Sequence, residues 1–353
     1  MRLRTKRFDA RAIAYHYDVS NEFYALFLDR RMVYTCAYYR RPDGDLDQAQ
    51  EDKLDLVCRK LRLQPGERLL DIGCGWGSLV VWAAERYGVL ARGVTLSRAQ
   101  AEYGQAWIRR LGLEERARVD HLDYRDLPRE LRFDKIAAVG VIEHLGIGNY
   151  PDYFARVHEL LAPGGLFLNH GITHEKHWRR SSQTEFLERH VFPNGEMDNV
   201  SHILDVLERA RFEIRDVESL REHYARTTRQ WAERLQTNAE RARALVGERT
   251  YRTWIAYLAS SSVGFTHGAL GLYQVVVSRP DPPVRDAVPT TREAIYSAAA
   301  PAELADRRHR AGGIAAVDEH VAAAAEVVGD ARDPTPQRPL GDVLGEAPEE
   351  ERA

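Results

Sequence analysis

Between Arg68 and Ser278 the chain alternates between two hydrophobic rhythms. Short, nearly continuous apolar runs are followed by longer stretches in which apolar residues recur every three or four positions. These are the patterns of buried strands and of amphipathic helices. The runs predict strands at Arg68–Ile72, Ala91–Thr95, Arg118–Leu122, Lys135–Val139 and Leu166–Gly171. The periodic stretches predict helices at Ser78–Tyr87, Arg98–Leu111 and Tyr150–Leu161. Such alternation builds an α/β fold with a mostly parallel, doubly wound sheet, whose ligands sit at the carboxyl ends of the strands. Phe212–Leu220 and Leu272–Ser278 read as antiparallel edge strands that finish the sheet.

The flanking patterns are different. Leu46–Leu63 carries apolar residues at Leu54, Val57, Cys58 and Leu61, and reads as a helix ending before Gln64-Pro65-Gly66. Arg11–Arg31 mixes Tyr15, Tyr17, Phe23, Tyr24 and Phe27 with a helix start at Ser20-Asn21-Glu22. Residues 1–45 are therefore expected to form a helical lid over the ligand edge, although a plain amphipathic helix fits the same pattern. Residues 174–262 read as insertions: a loop at His190–Gly195, a helix at Val200–Ala210, and helical sequence over 222–262. In the last, Trp231, Leu235, Tyr251, Trp254 and Leu258 share an apolar face. Laid over the ligand edge these helices would wall a lipid-sized pocket; periodicity alone equally allows an ordinary core. After Arg279-Pro280-Asp281-Pro282-Pro283 aromatics nearly vanish, and 284–353 reads as a largely disordered tail with an Ala-rich helix near Ala315–Val328. The expected organisation is one domain over 1–283 followed by that tail.

Candidate chemistry gathers at the predicted strand ends. Leu69–Gly77 reads LLDIGCGWG: a strand, the carboxylate of Asp71, then Gly73, Gly75 and Gly77 opening a helix. Glycines at this spacing let the backbone approach a ligand, and the following helix N-terminus offers free N–H groups to a carboxylate. A ligand with adenosine, ribose and an amino-acid end suits such a turn. The second strand ends in Gly93-Val94-Thr95-Leu96-Ser97, with Gln100 one helical turn on. Dinucleotide enzymes carry an acid there for the ribose hydroxyls, so the neutral groups argue against the standard dinucleotide pattern and leave adenosine contacts open. The form of the glycine turn, with the motifs at the following strands, favours S-adenosylmethionine over a nicotinamide cofactor. Asp123-Tyr124-Arg125 at the third strand end could hold the adenine, or be a solvated loop. Glu143 and His144 follow the fourth strand, and Asn169-His170-Gly171-Ile172 ends the next. Titratable groups brought to one ligand edge are candidates for acid–base work.

Composition narrows the setting. The chain has 353 residues, a formal net charge of −3, 44% hydrophobic and 29% charged residues. That charge gives no general pull toward nucleic acid, and no nucleic-acid partner is expected. Neither a bilayer-length apolar run nor a signal-like h-region is present. Three scattered cysteines, Cys36, Cys58 and Cys74, form no disulfide framework and no zinc-like cluster, which suggests a reducing cytoplasm.

Taken together, several motifs resemble the cyclopropane-fatty-acyl-phospholipid synthase family, which includes the mycolic acid cyclopropane synthases. They are Tyr15–Phe23 (YHYDVSNEF), Met32–Tyr39 (MVYTCAYY), Leu69–Gly77, Gly93–Gln100 (GVTLSRAQ), Val139–Gly146 (VGVIEHLG), Phe192–Gly195 (FPNG) and His223–Trp231 (HYARTTRQW). The resemblance runs from about Arg11 to Val277. It implies a Rossmann-like class I S-adenosylmethionine-dependent methyltransferase with extra helices over the ligand edge. It further implies methylene transfer from S-adenosylmethionine to the cis double bond of an unsaturated phospholipid acyl chain. A carbocation would form, and a bound bicarbonate would deprotonate it to close a cyclopropane ring. By motif match, Cys36 and Ile172 would hold the bicarbonate through backbone N–H groups, Glu143 and His170 would orient it, and Tyr224 would hydrogen-bond to it. Tyr15 or Tyr224 could steady the cation through its ring face. The cofactor would be held by Tyr34, Thr35, Asp71, Gly73, Gly75, Gly77, Thr95, Ser97, Gln100, Asp123 and Tyr124. The implied setting is cytoplasmic, with peripheral contact at the inner membrane face; a homodimer is compatible with it.

Two departures stand out. The chain begins near the catalytic domain, without the N-terminal domain of longer members. Glu196-Met197-Asp198-Asn199 replaces the Leu-Pro-Ser run that commonly follows the FPNG motif. A lipid C-methyltransferase giving methyl-branched or methylene products, or a small-molecule N-methyltransferase, would share the same site.

Overall fold

Seven strands form one sheet in a computed structural model that describes residues 20–175, 177, 179, 184–186, 189, 191, 195–280 and 291–296. All of these belong to the first of two compact units, Met1–Ala311. The strands are β1 (Arg68–Ile72), β2 (Leu90–Thr95), β3 (Ala117–His121), β4 (Phe133–Val139), β5 (Leu161–His174), β6 (Glu213–Ser219) and β7 (Leu270–Ser278). Their order is β3-β2-β1-β4-β5-β7-β6. β1 pairs in parallel with both β2 and β4, and β5 runs parallel to β4. The chain thus winds outward from β1 to β3 and then returns to β4 on the other side. This leaves a crevice beyond the carboxyl ends of β1 and β4, where open α/β sheets take their ligands.

β7 corrects the sequence-based expectation. Its sequence was expected to be an edge strand, yet it lies inside the sheet, antiparallel to both β5 and β6. The reason is burial on both faces: Val275, Val276 and Val277 run consecutively and are all buried. β5 is also longer than expected, starting at Leu161 and passing through Pro163-Gly164-Gly165 with a register shift opposite Phe133–Lys135.

Strand alternation sorts the core. In β1, Leu69 joins an apolar cluster on one face, packed with α2 (Leu46–Lys60), α3 (Ser78–Tyr87) and α4 (Arg98–Arg110). Leu70 and Ile72 join the cluster on the opposite face, with α6 (Tyr150–Leu160) and α7 (Val200–Arg209). Asp71 therefore points to the α2 side. The site-bearing helix α2 starts where the Asp45 side chain accepts a hydrogen bond from Gln48 N–H, and Arg59 and Lys60 complement its last turn.

A third apolar cluster is built from α1 (Asn21–Ala25), the irregular segment 32–39, α8 (Arg221–Thr237) and α9 (Ala239–Thr266, interrupted at Gly247). Trp231, Tyr24 and Phe23 are fully buried here. Burying one such ring contributes roughly 2–3 kcal/mol. Of the expected N-terminal lid, residues 1–19, with Tyr15 and Tyr17, lie outside the described residues, as do Phe192–Asn194 of the FPNG loop. Nearly all of the expected tail also lies outside them; the exception is 291–296, where Glu293–Tyr296 forms a helical turn, α10, and Arg292 pairs with Asp216 of β6.

Candidate active site

A cavity of about 770 Å³ opens at the crevice, lined both by the strand ends and by α8 and α9. Its wall includes the glycine turn. Gly73 and Cys74 N–H groups both donate to the Val94 carbonyl, at 2.9 and 3.1 Å, folding the chain back over β2. Gly73 has φ +71°, and a Cβ there would meet Val141 Cγ2 at 2.6 Å. Gly75, at φ +55°, faces open space. Gly77, also left-handed, starts α3 behind the cavity wall. The Trp76 indole N–H donates to Asn21 Oδ1 at 2.8 Å, tying α1 to this turn.

Thr95 and Gln100 line the cavity as a pair, with the Thr95 hydroxyl donating to Gln100 Oε1 at 2.7 Å. Ser97 stands outside the lining as the N-cap of α4, accepting from Gln100 N–H. Asp123 is likewise behind the wall: it caps the short turn Tyr124–Asp126 and pairs with Arg125 through both oxygens. Tyr124 itself lines the cavity and meets Tyr153 edge-on at 5.4 Å.

The floor on the α2 side is polar and buried. Lys53 Nζ donates to Thr35 Oγ1 at 3.0 Å, and Gln50 Nε2 to the Thr35 carbonyl at 2.8 Å. Asp29 accepts from Val33 N–H at 2.8 Å. Residues 32–39 have no strand ladder, and their backbone finds partners on α2, on Asp29 and on Thr227 and His223 of α8. Burial pushes the Asp71 carboxyl up, and the Lys53 ammonium pulls it back; burial pushes Lys53 down, with Asp29, Cys36 and Asp71 opposing. Tyr34 reaches across the cavity, its hydroxyl 3.1 Å from that of Tyr257. Lys53, Gln50 and Tyr257 were not singled out from the sequence; only their recurrence on helix faces could have marked them.

The proposed catalytic groups converge from four elements. Glu143 sits on α5 (Ile142–Leu145), just after β4, and is 7% exposed. Its Oε1 accepts from Ile172 N–H at 2.6 Å, so that N–H is engaged by the carboxylate. Its Oε2 is buried without a hydrogen-bond partner. Burial pushes the Glu143 carboxyl up to about 7, with the Ile172 N–H pulling down. His170 lies on β5 two residues before Ile172, is 1% exposed, and its Nε2 also lacks a partner. Burial holds its pKa well below the usual imidazole value, helped by Lys53 and Lys60. Tyr224 lines the cavity from α8, stacked on Phe265 at 4.5 Å between ring centroids. Cys36 is fully buried outside the lining, its thiol donating to the Ala37 carbonyl at 3.2 Å. The structure thus brings Glu143, Ile172 and Tyr224 to the cavity surface, with His170 and Cys36 behind it.

Comparison with known proteins agrees with this architecture. The family model of mycolic acid cyclopropane synthetase matches residues 4–275. A probable fatty acid methyltransferase of Pseudomonas putida is 46% identical over 294 residues, covering 82% of this chain and 75% of its own. The cyclopropane synthase MmaA2 from Mycobacterium tuberculosis superimposes with TM-score 0.74 at 32% identity, over 79% of this chain and 100% of that one. The mycolic acid cyclopropane synthase CmaA1 complexed with SAH and CTAB gives 0.70 at 32% identity, over 76% and 98%. The sheet order, the glycine turn and these superpositions are those of a class I S-adenosylmethionine-dependent methyltransferase. Within that class the chain belongs to the mycolic acid cyclopropane synthetase family and is a lipid methyltransferase.

Proposed function

We propose that the protein adds a methylene group from S-adenosylmethionine across the cis double bond of an unsaturated phospholipid acyl chain, forming a cyclopropane ring. The observation that carries this reading is the buried, unpartnered Oε2 of Glu143, which lines a largely apolar cavity that also contains the glycine turn, with the equally unpartnered Nε2 of His170 behind the wall. Buried polar atoms without partners are costly, and a small polar ligand would satisfy them. Bicarbonate fits, since it offers both an O–H and anionic oxygens.

When bound, S-adenosylmethionine would supply an electrophilic methyl group to the alkene, its S–C bond breaking as the new C–C bond forms, and bicarbonate would supply the base that takes a proton from that methyl as the ring closes. The chain's residues arrange these partners. Gly73, Gly75, Thr95 and Gln100 would receive the adenosine and ribose, and Asp71 and Thr35 the amino-acid end. Glu143 would accept the anion's O–H through Oε2, and Tyr224 would hydrogen-bond to it from the cavity wall. Phe265, Leu270 and Tyr257 line the apolar side and exclude water from the cation. Among the described residues no helix is long and apolar enough to cross a membrane. We infer peripheral contact with a lipid surface in a cytoplasmic setting.

A second reading stops at C-methylation, and the fatty acid methyltransferase name of the 46% identical relative favours it. Incubation with S-adenosylmethionine and unsaturated phospholipid vesicles, followed by analysis of the fatty acid methyl esters, tests both. Ring protons in the NMR spectrum and resistance to mild hydrogenation support cyclopropanation. A gain of CH2 with retained unsaturation supports C-methylation, and transfer only to an amine overturns both.

A further inference from the structure

The Glu143–His170 corner is backed by a residue to which the mechanism above assigns no part. His170 on β5 lies directly opposite Gln274 on antiparallel β7. Directly opposed residues on neighbouring strands share a face, with Cβ atoms about 5 Å apart. Gln274 is wholly buried, and its Nε2 lies 3.1 Å from His170 Nδ1. With the amide turned this way its nitrogen donates, which makes Nδ1 the acceptor and leaves the neutral ring's single proton on Nε2; the reverse orientation would set Oε1 against an Nδ1–H. Nε2 is the buried atom that meets no protein partner, and Gln274 Oε1 is buried without one as well.

We propose that Gln274 is a positioning residue that locks His170 in its Nε2–H tautomer, so that the imidazole presents a hydrogen-bond donor to an oxyanion held at this corner. The inference rests on the reading that an anion binds there. The opposite tautomer would aim a lone pair at the anion and repel it. The cross-strand pair therefore does for the imidazole what a carboxylate or carbonyl partner does in many other sites: it chooses which nitrogen acts. Gln274 stands outside the cavity lining, so it acts without touching substrate.

The test is nitrogen NMR on protein labelled with 15N-histidine, without lipid, with the His170 signals identified by their loss in His170→Gln. Wild type is expected to show the Nε2–H pattern; an Nδ1–H pattern overturns the proposal. Gln274→Met keeps the bulk and removes the donor. It is expected to show mixed tautomers and a kcat at least about tenfold lower, with KM for S-adenosylmethionine unchanged. A folded Gln274→Met protein that keeps a single Nε2–H tautomer and full turnover also overturns it; if that variant does not fold, the wild-type spectrum decides alone. Bicarbonate titration is read separately. A shift of the Nε2–H resonance supports the donor role, and no shift beside an intact Nε2–H pattern rejects the anion while the tautomer lock stands.

Discussion

Glu143 shows how one buried side chain couples chemistry to stability. Its carboxyl is raised from an ordinary 4.5 to about 7 by burial. Because the folded value lies above the unfolded one, the folded state holds an extra proton between those limits. Stability contributed by this group is thus present at low pH and is lost as pH rises from about 4.5 to 7. Glu143→Gln removes the ionisation and keeps an acceptor for Ile172 N–H. The ligand-free variant is expected to match wild type at pH 4 and to exceed it at pH 8 by up to about 3 kcal/mol. Denaturant unfolding at the two pH values checks this, and an equal difference at both would remove the assignment. Turnover should nonetheless collapse in the variant. Glu143 could be picked out from the sequence because it follows a strand end, whereas its pairing with Ile172 N–H could not. That bond depends on how far α5 turns back over β5.

At the scale of elements, the glycine turn, the strand ends and α2 do different jobs. The strand–turn–helix junction was legible from Asp71, Gly73, Gly75 and Gly77, although that spacing also serves dinucleotides and only the motifs at the following strands pointed the reading to S-adenosylmethionine. Its tolerance differs by position. Gly73→Ala must place a methyl 2.6 Å from Val141 and hold a left-handed backbone, which costs roughly 1–2 kcal/mol before any clash. S-adenosylhomocysteine affinity in that variant is expected to fall at least about tenfold, measured by calorimetry; unchanged affinity would detach the turn from the cofactor. Ser97 and Asp123 were read as ligand contacts because they sit at strand ends; the structure places both outside the cavity lining, where they serve as caps. A residue that caps and a residue that binds look alike in sequence, because both are short polar side chains at the same boundary. Lys53 and Gln274 were missed for the opposite reason. Lys53 is one charge among several in the polar run Gln50–Asp55, Gln274 a lone polar residue in an apolar strand, and only the packing of α2 and the pairing of β7 show where each points.

For the whole molecule, two apolar clusters flank the sheet and a third covers its carboxyl edge, and the cavity is lined by members of all three. Binding to the folded state alone should therefore stabilise the entire domain. At 100 times its dissociation constant, S-adenosylhomocysteine is expected to add about 2.7 kcal/mol and raise the melting temperature by several degrees. NAD at the same concentration should leave it unmoved, and a shift with NAD alone would contradict the cofactor assignment.

The position of β7 has a consequence for how the chain is made. Its nine residues slot between β5 and β6, although both neighbours are translated well before it. While the ribosome adds the two long helices in between, the inner borders of β5 and β6 wait open, each able to recruit a strand from another nascent chain. At ordinary translation speeds that wait lasts seconds. Newly made protein should therefore lean on chaperones most heavily in this window, and stalling codons placed between Ser219 and Leu270 should raise the insoluble fraction without altering a single amino acid.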